Sequence, residues 1–193
     1  MLHLPEKIET DRLILSIPVE PTFELAKEAY AEIDKSRDNI SRFLPWPMST
    51  HSAETYFIYL VNYCKNGYEE NSKFAYIITN KETGKFLGVL DICSVDHELK
   101  RGEFGYWLSD SASGHGYMSE ALKALEKTAF QNGFNRLIIR NAPENHKSVN
   151  VAKNAGYILE GVMRQDHLSV DGKEFLDVNI WGKTKEQWEK ENK

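Results

Sequence analysis

A strand pattern, a glycine-containing turn, a helix pattern and a second strand pattern follow one another between residues 102 and 140. GEFGYWL (102–108) and RLIIR (136–140) are rich in aromatic or branched apolar residues, which favours strands. Between them, apolar residues recur at helical intervals of 4, 3 and 4, at Met118, Leu122, Leu125 and Ala129. Because a helical crossover joins parallel strands with right-handed chirality, the segment predicts a βαβ unit with two parallel strands.

The rest of the chain predicts further strands and helices around this unit. Strand patterns lie at 12–18, at 73–79, at 86–95, and in a long hairpin, YILEGVMRQDHLSV and EFLDVNIWG, turned at Asp171 and Gly172. Helix patterns lie at 21–35, 52–67 and 145–156. We expect Ser52 to cap the second of these helices. We expect the first to bury one face, formed by Phe23, Ala26, Tyr30 and Ile33.

The chain has 193 residues, enough for a full hydrophobic core, and shows no internal repeat, linker or low-complexity segment. We therefore expect a single domain over residues 1–193, with a charged tail (184–193) that is prone to fray.

Composition excludes several classes of function. The formal net charge of -5 argues against direct binding of nucleic acid, because phosphate contacts need a basic patch. Apolar runs such as YFIYLV (56–61) are too short to cross a bilayer, and the charged N-terminal residues do not resemble a signal peptide. We therefore expect a soluble, cytoplasmic protein with no membrane partner. Cys64 and Cys93 fit reduced buried thiols, and no Cys or His cluster has metal-ligand spacing, so we expect no metal.

The turn of the βαβ unit, SASGHGYMSEAL (111–122), places Gly114 and Gly116 just before the predicted helix. A helix N-terminus offers unpaired N–H groups and the positive end of the helix dipole, and glycines let a ligand come close. The turn therefore indicates an anion site, although a tight turn without a ligand would use the same residues. No Lys followed by Ser or Thr is present, which disfavours a P-loop, and Ser119 stands where a dinucleotide fingerprint has its third glycine.

Three longer segments resemble the GNAT acetyltransferases, and within them the Rim-type branch of ribosomal-protein N-terminal acetyltransferases. These segments are GEFGYWLSDSASGHGYMSEALKAL, NHKSVNVAKNAGYILEGVMRQ and DGKEFLDVNIWGK, and TDRLIL, FLPW and ILEG also look like that branch. The resemblance runs from about residue 8 to residue 183. It implies an α/β fold with a strongly twisted mixed sheet of about seven strands, flanked by helices. Two central parallel strands would splay apart and hold acetyl-CoA between them.

The resemblance also implies which residues bind acetyl-CoA. Its pyrophosphate would lie on the backbone N–H groups of the turn and the first helical residues, namely His115, Gly116, Tyr117, Met118 and Ser119. The family motif, Q/R-x-x-G-x-G/A, is not matched at Ser113 and Met118, and the short Ser113 hydroxyl replaces a longer donor. Asn145 would hold the pantetheine arm through its amide. The complete set implied for CoA binding is Trp107, Leu108, Ser113, Gly114, His115, Gly116, Tyr117, Met118, Ser119, Asn145 and Ser148.

Glu103 is the candidate general base. Acetyl transfer to an amine requires a neutral amine, so some group must accept a proton. Side chains alternate along a strand, so Glu103 shares a face with Gly105 and Trp107, opposite to Phe104 and its neighbours. A carboxylate in an apolar strand is costly unless it is paired or used, and Gly105 leaves room for a ligand. GNAT enzymes with a glutamate base have it at a matching place; the alternative is an ion pair with Arg101 or a neighbouring strand.

Ser148 is the candidate partner of the departing thiolate. The tyrosine that often serves this purpose in the family would fall at Ala152, so the resemblance assigns the role to Ser148, whose hydroxyl can donate one hydrogen bond. The alternative is a serine in the first helical turn that bonds only to backbone. We expect the oxyanion to be stabilised by a backbone N–H near Trp107 or Leu108.

The acceptor side of such folds is built by the early helices and the late hairpin, so we expect it to be lined by Phe43, Trp46, Tyr56 and Tyr68. An α-amine is easier to deprotonate than a lysine, by about three kcal/mol. This favours a protein N-terminus, including that of a ribosomal protein. Acetylation of a small amine such as a polyamine, an amino acid or an antibiotic, and an inactive CoA-binding module, are the alternatives. The resemblance is compatible with a homodimer, although no residue pattern identifies an interface.

Overall fold

The computed structural model describes residues 1–192 and contains one eight-stranded mixed sheet, with the strand order β1-β2-β3-β4-β5-β6-β8-β7. The strands are β1 (Lys7–Glu9), β2 (Leu13–Ser16), β3 (Phe74–Asn80), β4 (Phe86–Asp96), β5 (Arg101–Leu108), β6 (Arg136–Asn141), β7 (Ile158–Leu168) and β8 (Phe175–Thr184). The helices are α1 (Phe23–Ile40), α2 (Ala53–Tyr59), α3 (Asn66–Glu69), α4 (Tyr117–Gln131), α5 (His146–Asn154) and α6 (Lys185–Glu191). Among the strands of residues 1–192, only β5 and β6 pair in parallel, joined through α4, which confirms the predicted βαβ unit.

The sheet has one strand more than the seven expected. The extra strand, β1, has only three residues (KIE), and it pairs antiparallel with β2 at the sheet edge. None of its residues is fully buried. A short and largely polar edge strand carries no alternation that could distinguish it from a loop, and pairing with β2 alone defines it.

The predicted helix at 52–67 is present but not uniform. Ser52 caps α2 as predicted, because its Oγ accepts a hydrogen bond from the Thr55 N–H at 3.3 Å. Leu60–Lys65 is π-helical and joins α2 to α3. Single turns of π-helix occur often at functional sites, and this one lies beside the sheet face that carries the candidate base.

The buried face predicted for α1 is partly wrong. Ala26 and Ile33 are fully buried, whereas Phe23 is 37% exposed at the first turn and Tyr30 is half-buried. Phe23 packs edge-on against Phe57, and the helix continues to Ile40, five residues beyond its predicted end. The buried face of α1 therefore combines small residues with Glu32, Ile33 and Ile40, and its aromatic residues are more exposed.

Most of the charged tail forms a short helix, and its last residue, 193, lies outside the described residues. Residues 185–191 form α6, which Thr184 caps by accepting a hydrogen bond from the Gln187 N–H at 3.2 Å. The Trp188 ring packs against Phe130 with ring centroids 5.7 Å apart. An aromatic contact and a capped first turn are therefore among the interactions of a segment for which the sequence predicted fraying.

Two hydrophobic cores cover the two faces of the sheet. One contains Phe104 and the apolar face of α4, with Tyr106 and Leu108 packed against it. The other contains Trp107 together with residues of α1 and α2. The alternation predicted along residues 103–108 is therefore confirmed.

The two parallel strands separate halfway along β5. Their pairing runs from Arg101 opposite Arg136 to Phe104 opposite Ile139 and ends there. Beyond that point β5 continues to Leu108 beside β4, while β6 stays paired with β8 to its last residue. The divergence leaves a V-shaped cleft between β5 and β6.

Candidate active site

The cleft is lined by backbone N–H groups of β5. The Ser109 N–H donates to the Leu87 carbonyl of β4 at 2.8 Å, and the Gly105 N–H donates to the Asp91 carboxylate of β4 at 3.0 Å. Successive N–H groups of a strand point to opposite edges, so those of Tyr106 and Leu108 point away from β4 and into the cleft. These two N–H groups have no strand partner on that side, so they are available to donate hydrogen bonds to an acyl oxygen in the cleft.

The turn before α4 has the backbone geometry of an anion site. Gly114 and Gly116 have φ values of 86° and 77°, in the left-handed region that favours glycine. Gly116 precedes the first residue of α4, and no side chain caps the N–H groups of that first turn. These N–H groups, together with the helix dipole, are free to bind phosphate oxygens.

Two cations lie beside the turn, and one of them, Arg12, is also paired with Glu120 at 2.7 Å. The Lys147 ammonium lies 3.0 Å from Ser113 Oγ, and Arg12 donates from Nη1 to the His115 carbonyl at 3.1 Å. Arg12 also lies over the Tyr117 ring, 4.7 Å from its centroid. Sequence reasoning missed both residues because they come from α5 and from the segment before β2. The donor set around the turn fits a pyrophosphate.

Ser148 lies at the centre of a buried polar cluster that bridges the two diverging strands. Its Oγ is 2.9 Å from the Tyr106 hydroxyl of β5 and 3.1 Å from Nδ2 of Asn141 on β6. The Asn141 Oδ1 accepts hydrogen bonds from Asn179 at 3.1 Å and from the Trp181 indole at 3.2 Å. Ser148 therefore bonds to side chains of both cleft walls and not to backbone alone.

Asn145 directly precedes α5 and caps it. Its Oδ1 accepts a hydrogen bond from the Ser148 N–H at 3.2 Å. This cap fixes the first turn of α5 relative to the cleft and so positions Ser148.

Glu103 is half-buried on the opposite face of β5. Burial raises its pKa above the usual range, and the nearby charge of Arg140 opposes that rise. Arg101 pairs with Asp96 at 3.5 Å, and Arg140 pairs with Asp166. Both neighbouring arginines therefore have other partners, and within residues 1–192 Glu103 forms no ion pair at 4.0 Å or less.

Asp91 on β4 is a second carboxylate on the same face, and sequence reasoning missed it. It is 8% exposed, and its Oδ2 accepts a hydrogen bond from the Tyr63 hydroxyl at 3.0 Å. Burial raises the pKa of Asp91 to about 7, partly offset by the hydrogen bonds from Tyr63 and Gly105. A Cβ at Gly105 would lie 2.5 Å from Asp91 Oδ1, so this carboxylate fills the space expected for a ligand.

The aromatic residues expected on the acceptor side differ in exposure. Trp46 is half-buried and lies against Trp107, with ring centroids 5.5 Å apart, and Phe43 is also half-buried in the same loop. Tyr56 is only 2% exposed and stacks on Tyr59, so it lies in the core behind the acceptor side and not on its surface. Tyr68 packs in the core of the other sheet face and donates a hydrogen bond to the Leu4 carbonyl.

Comparison with known proteins identifies the family. A family model described as an acetyltransferase (GNAT) domain matches residues 12–158. The chain belongs to the GNAT acetyltransferases. It is an acetyl-CoA-dependent N-acetyltransferase, and the Rim-type resemblance seen in the sequence agrees with its relatives.

A ribosomal-protein-serine acetyltransferase from Escherichia coli K12 is 30% identical over 161 residues, which cover 81% of this chain and 86% of that protein. Among solved structures, a RimL ribosomal L7/L12 α-N-protein acetyltransferase in complex with coenzyme A superposes with a TM-score of 0.84 at 24% identity. The match covers 93% of this chain and 98% of that one. The microcin C7 self-immunity acetyltransferase MccE, in complex with acetyl-CoA and AMP, gives 0.82 at 24% identity, with 91% and 93% coverage. These structures share the fold of this GNAT enzyme.

Neither a membrane-spanning helix nor a cluster of metal-ligating side chains is found in residues 1–192. None of the helices in this range combines the length and apolar composition needed to cross a bilayer. No group of three or more His, Cys, Asp or Glu side chains in the same range is placed to hold a metal ion.

We expect Gly116→Val to weaken acetyl-CoA binding by roughly 10- to 100-fold, because a β-branched residue resists the left-handed region and moves the N–H groups of the turn. The loss corresponds to one charge-assisted hydrogen bond of about 1.5–3 kcal/mol. Isothermal titration with acetyl-CoA measures it. Gly84→Val is the matched control, because Gly84 has a φ of 70° in the β3–β4 turn with no atom near its Cβ position. Equal affinities in the two variants would contradict the phosphate site.

Proposed function

We propose that this enzyme acetylates the N-terminal α-amine of a protein, with Glu103 as general base and Ser148 as hydrogen-bond donor to the departing thiolate. The observation that carries the proposal is the arrangement around the cleft. Glu103 on β5 is a half-buried carboxylate without an ion-pair partner among residues 1–192, and the Ser148 hydroxyl is buried and bridges β5 and β6. A base needs a pKa raised towards neutrality, and burial supplies that shift for Glu103.

The chemical step assigns each group one task. The neutral amine forms a bond to the acetyl carbon, and its extra proton passes to Glu103. The N–H groups of Tyr106 and Leu108 offer hydrogen bonds to the carbonyl oxygen as negative charge develops there. The carbon–sulfur bond then breaks, and the sulfur keeps the electron pair and accepts a hydrogen bond from Ser148.

A protein N-terminus is favoured over a lysine for two reasons. An α-amine, with a pKa near 8, is neutral in a larger fraction of molecules at neutral pH than a lysine. The relative from Escherichia coli, whose name states that it acetylates a ribosomal-protein serine, covers most of this chain. A ribosomal protein that begins with serine is therefore the acceptor class we propose.

An acceptor panel tests this proposal. The panel contains a peptide with a free N-terminal serine and one internal lysine, the same peptide with its α-amine already acetylated, spermidine and free serine. We expect mass spectrometry to show one acetyl group on the first peptide, at its N-terminus, and none on the blocked peptide. Acetylation of spermidine or serine alone would assign the enzyme to small amines. Binding of acetyl-CoA without transfer to any member would indicate an inactive binding module.

A further inference from the structure

The orientation of the Asn141 amide is fixed by its neighbours. The Trp181 indole N–H can only donate, so the Asn141 atom that faces it at 3.2 Å must be the oxygen. The amide nitrogen of Asn141 then faces Ser148 Oγ at 3.1 Å and can only donate to it. Ser148 is therefore an acceptor in this contact, and its own hydroxyl proton is not used there.

Tyr106 approaches the same oxygen from the other strand. Its hydroxyl lies 2.9 Å from Ser148 Oγ, and burial raises its pKa to about 12, so the phenol keeps its proton near neutral pH. The Tyr106 hydroxyl also lies 3.5 Å from the Ser148 carbonyl, which is too long for a strong O–H···O bond, so we assign its donated bond to the contact with Ser148 Oγ at 2.9 Å. Ser148 Oγ then accepts two hydrogen bonds, and both its lone pairs are filled. The Ser148 proton must then point in a third direction, away from both side chains.

The position of the two donors relative to the cleft gives that direction. Phe104 and Ile139 form the last strand pair, and Tyr106 and Asn141 each follow two residues later on the same sheet face. Ser148 thus spans the opening between the strands just where they diverge. The cleft lies between the two donors, Tyr106 and Asn141. The third direction, which the Ser148 proton takes, therefore points into the cleft.

We propose that Asn141 and Tyr106 are positioning residues that direct the Ser148 hydroxyl proton at the sulfur of CoA. This inference rests on the proposed role of Ser148. Two donors on one oxygen also polarise the hydroxyl, which makes it a stronger donor to a developing thiolate. Asn179 and Trp181 fix the amide that begins this chain of hydrogen bonds. No proton leaves Tyr106 or Asn141: they orient the Ser148 hydrogen bond while the sulfur keeps the electron pair of the broken bond.

The pKa of the CoA thiol bound to the enzyme tests the inference without any acceptor amine. Thiolate formation is followed by ultraviolet absorbance across a pH titration, with the enzyme alone subtracted. Cys64 and Cys93 interfere little, because burial raises the pKa of both thiols to about 12. We expect the bound thiol to have a pKa below the usual value of about 8.5.

Variants of the cluster are expected to reverse this effect. Ser148→Ala should raise the measured pKa of bound CoA by about 1 to 2, and Tyr106→Phe and Asn141→Ala by about 1 each. In the Ser148→Ala background, Tyr106→Phe should cause no further change, because it acts only through the serine. Tyr106→Phe removes a single oxygen and retains the ring packing, so the test stands even if Asn141→Ala folds poorly.

The matched control is Tyr76→Phe, which removes another buried hydroxyl, one that donates to the Pro5 carbonyl at 2.6 Å. It should leave the pKa of bound CoA unchanged. An unchanged pKa in Tyr106→Phe, or an equal rise with and without Ser148, would overturn the inference while leaving the acetyltransferase function intact. A wild-type enzyme that bound no CoA would overturn the proposed function, and the inference with it.

Discussion

Replacing Glu103 with glutamine is expected to lower kcat for acetylation of an N-terminal amine by about 10²- to 10⁴-fold. The amide has nearly the same shape as the carboxylate but cannot accept the proton of the amine. The KM for acetyl-CoA should stay within about twofold, because the predicted pyrophosphate site lies on α4 and its turn, away from Glu103. Steady-state kinetics with the serine peptide measures both constants.

The pH dependence of the wild-type rate follows from the environment of Glu103. A base is active when it is deprotonated, and burial raises the pKa of Glu103. The rate should therefore fall as the pH drops through that raised pKa, above the usual range for glutamate. Glu103→Gln should remove this acid limb from the profile.

Glu9→Gln is the control for this prediction, because Glu9 is also a strand glutamate but lies on the edge strand β1, paired with Lys7 and Lys81. It should leave kcat unchanged. If Glu103→Gln retained full activity, a different group would have to accept the proton. Asp91, buried on the neighbouring strand with a pKa raised to about 7, would then be tested in the same way.

Regular elements of the fold could be predicted because each has a local pattern. The helical spacing after Gly116 predicted α4, and the alternation of Phe104 and Trp107 predicted which residues lie on each face of β5. These patterns depend only on neighbours a few residues apart. The edge strand β1 and the helix α6 lacked such a pattern, and both depend on tertiary contacts.

The polar cluster around Ser148 could be predicted only in part. The resemblance assigned a role to Ser148, yet its partner Tyr106 lies 42 residues away in the sequence. Asn141 stands at the end of a short apolar strand, where an amide gives no local signal. Its importance comes from Trp181, 40 residues further on, which meets it only because β8 pairs with β6.

The environment of Glu103 could likewise be predicted only in part from the sequence. The cost of a carboxylate in an apolar strand could be argued from the sequence, but its partners could not. Arg101 turns to Asp96 across the β4–β5 connection, and Asp91 lies against Gly105 because β4 and β5 pair in one register. A shift of one residue in that register would have moved Asp91 to the other face.

Lys183→Met is expected to lower the free energy of unfolding by about 3–5 kcal/mol at pH 8. The Lys183 ammonium is buried on β8, 3.2 Å from the Glu126 carboxylate of α4, and donates a hydrogen bond to the Ala155 carbonyl after α5 at 2.8 Å. It also reaches Glu191 of α6 at 2.7 Å. Without it, Glu126 would remain buried with no counter-charge. A midpoint lower by roughly 10 °C is the expected result of thermal unfolding.

A control variant and a pH series separate the effect of the buried charge from simple loss of a side chain. Lys185→Met removes a half-buried lysine whose side chain is 39% exposed and whose pair with Glu189, at 4.0 Å, lies on the surface of α6, so stability should change by less than about 0.5 kcal/mol. Burial already raises the pKa of Glu126, and loss of Lys183 would raise it further. Protonation then relieves the penalty, so the destabilisation by Lys183→Met should shrink as the pH falls from 8 to 5. A deficit that stayed constant over this range would mean that packing of the lysine chain, rather than its charge, holds the three helices to β8.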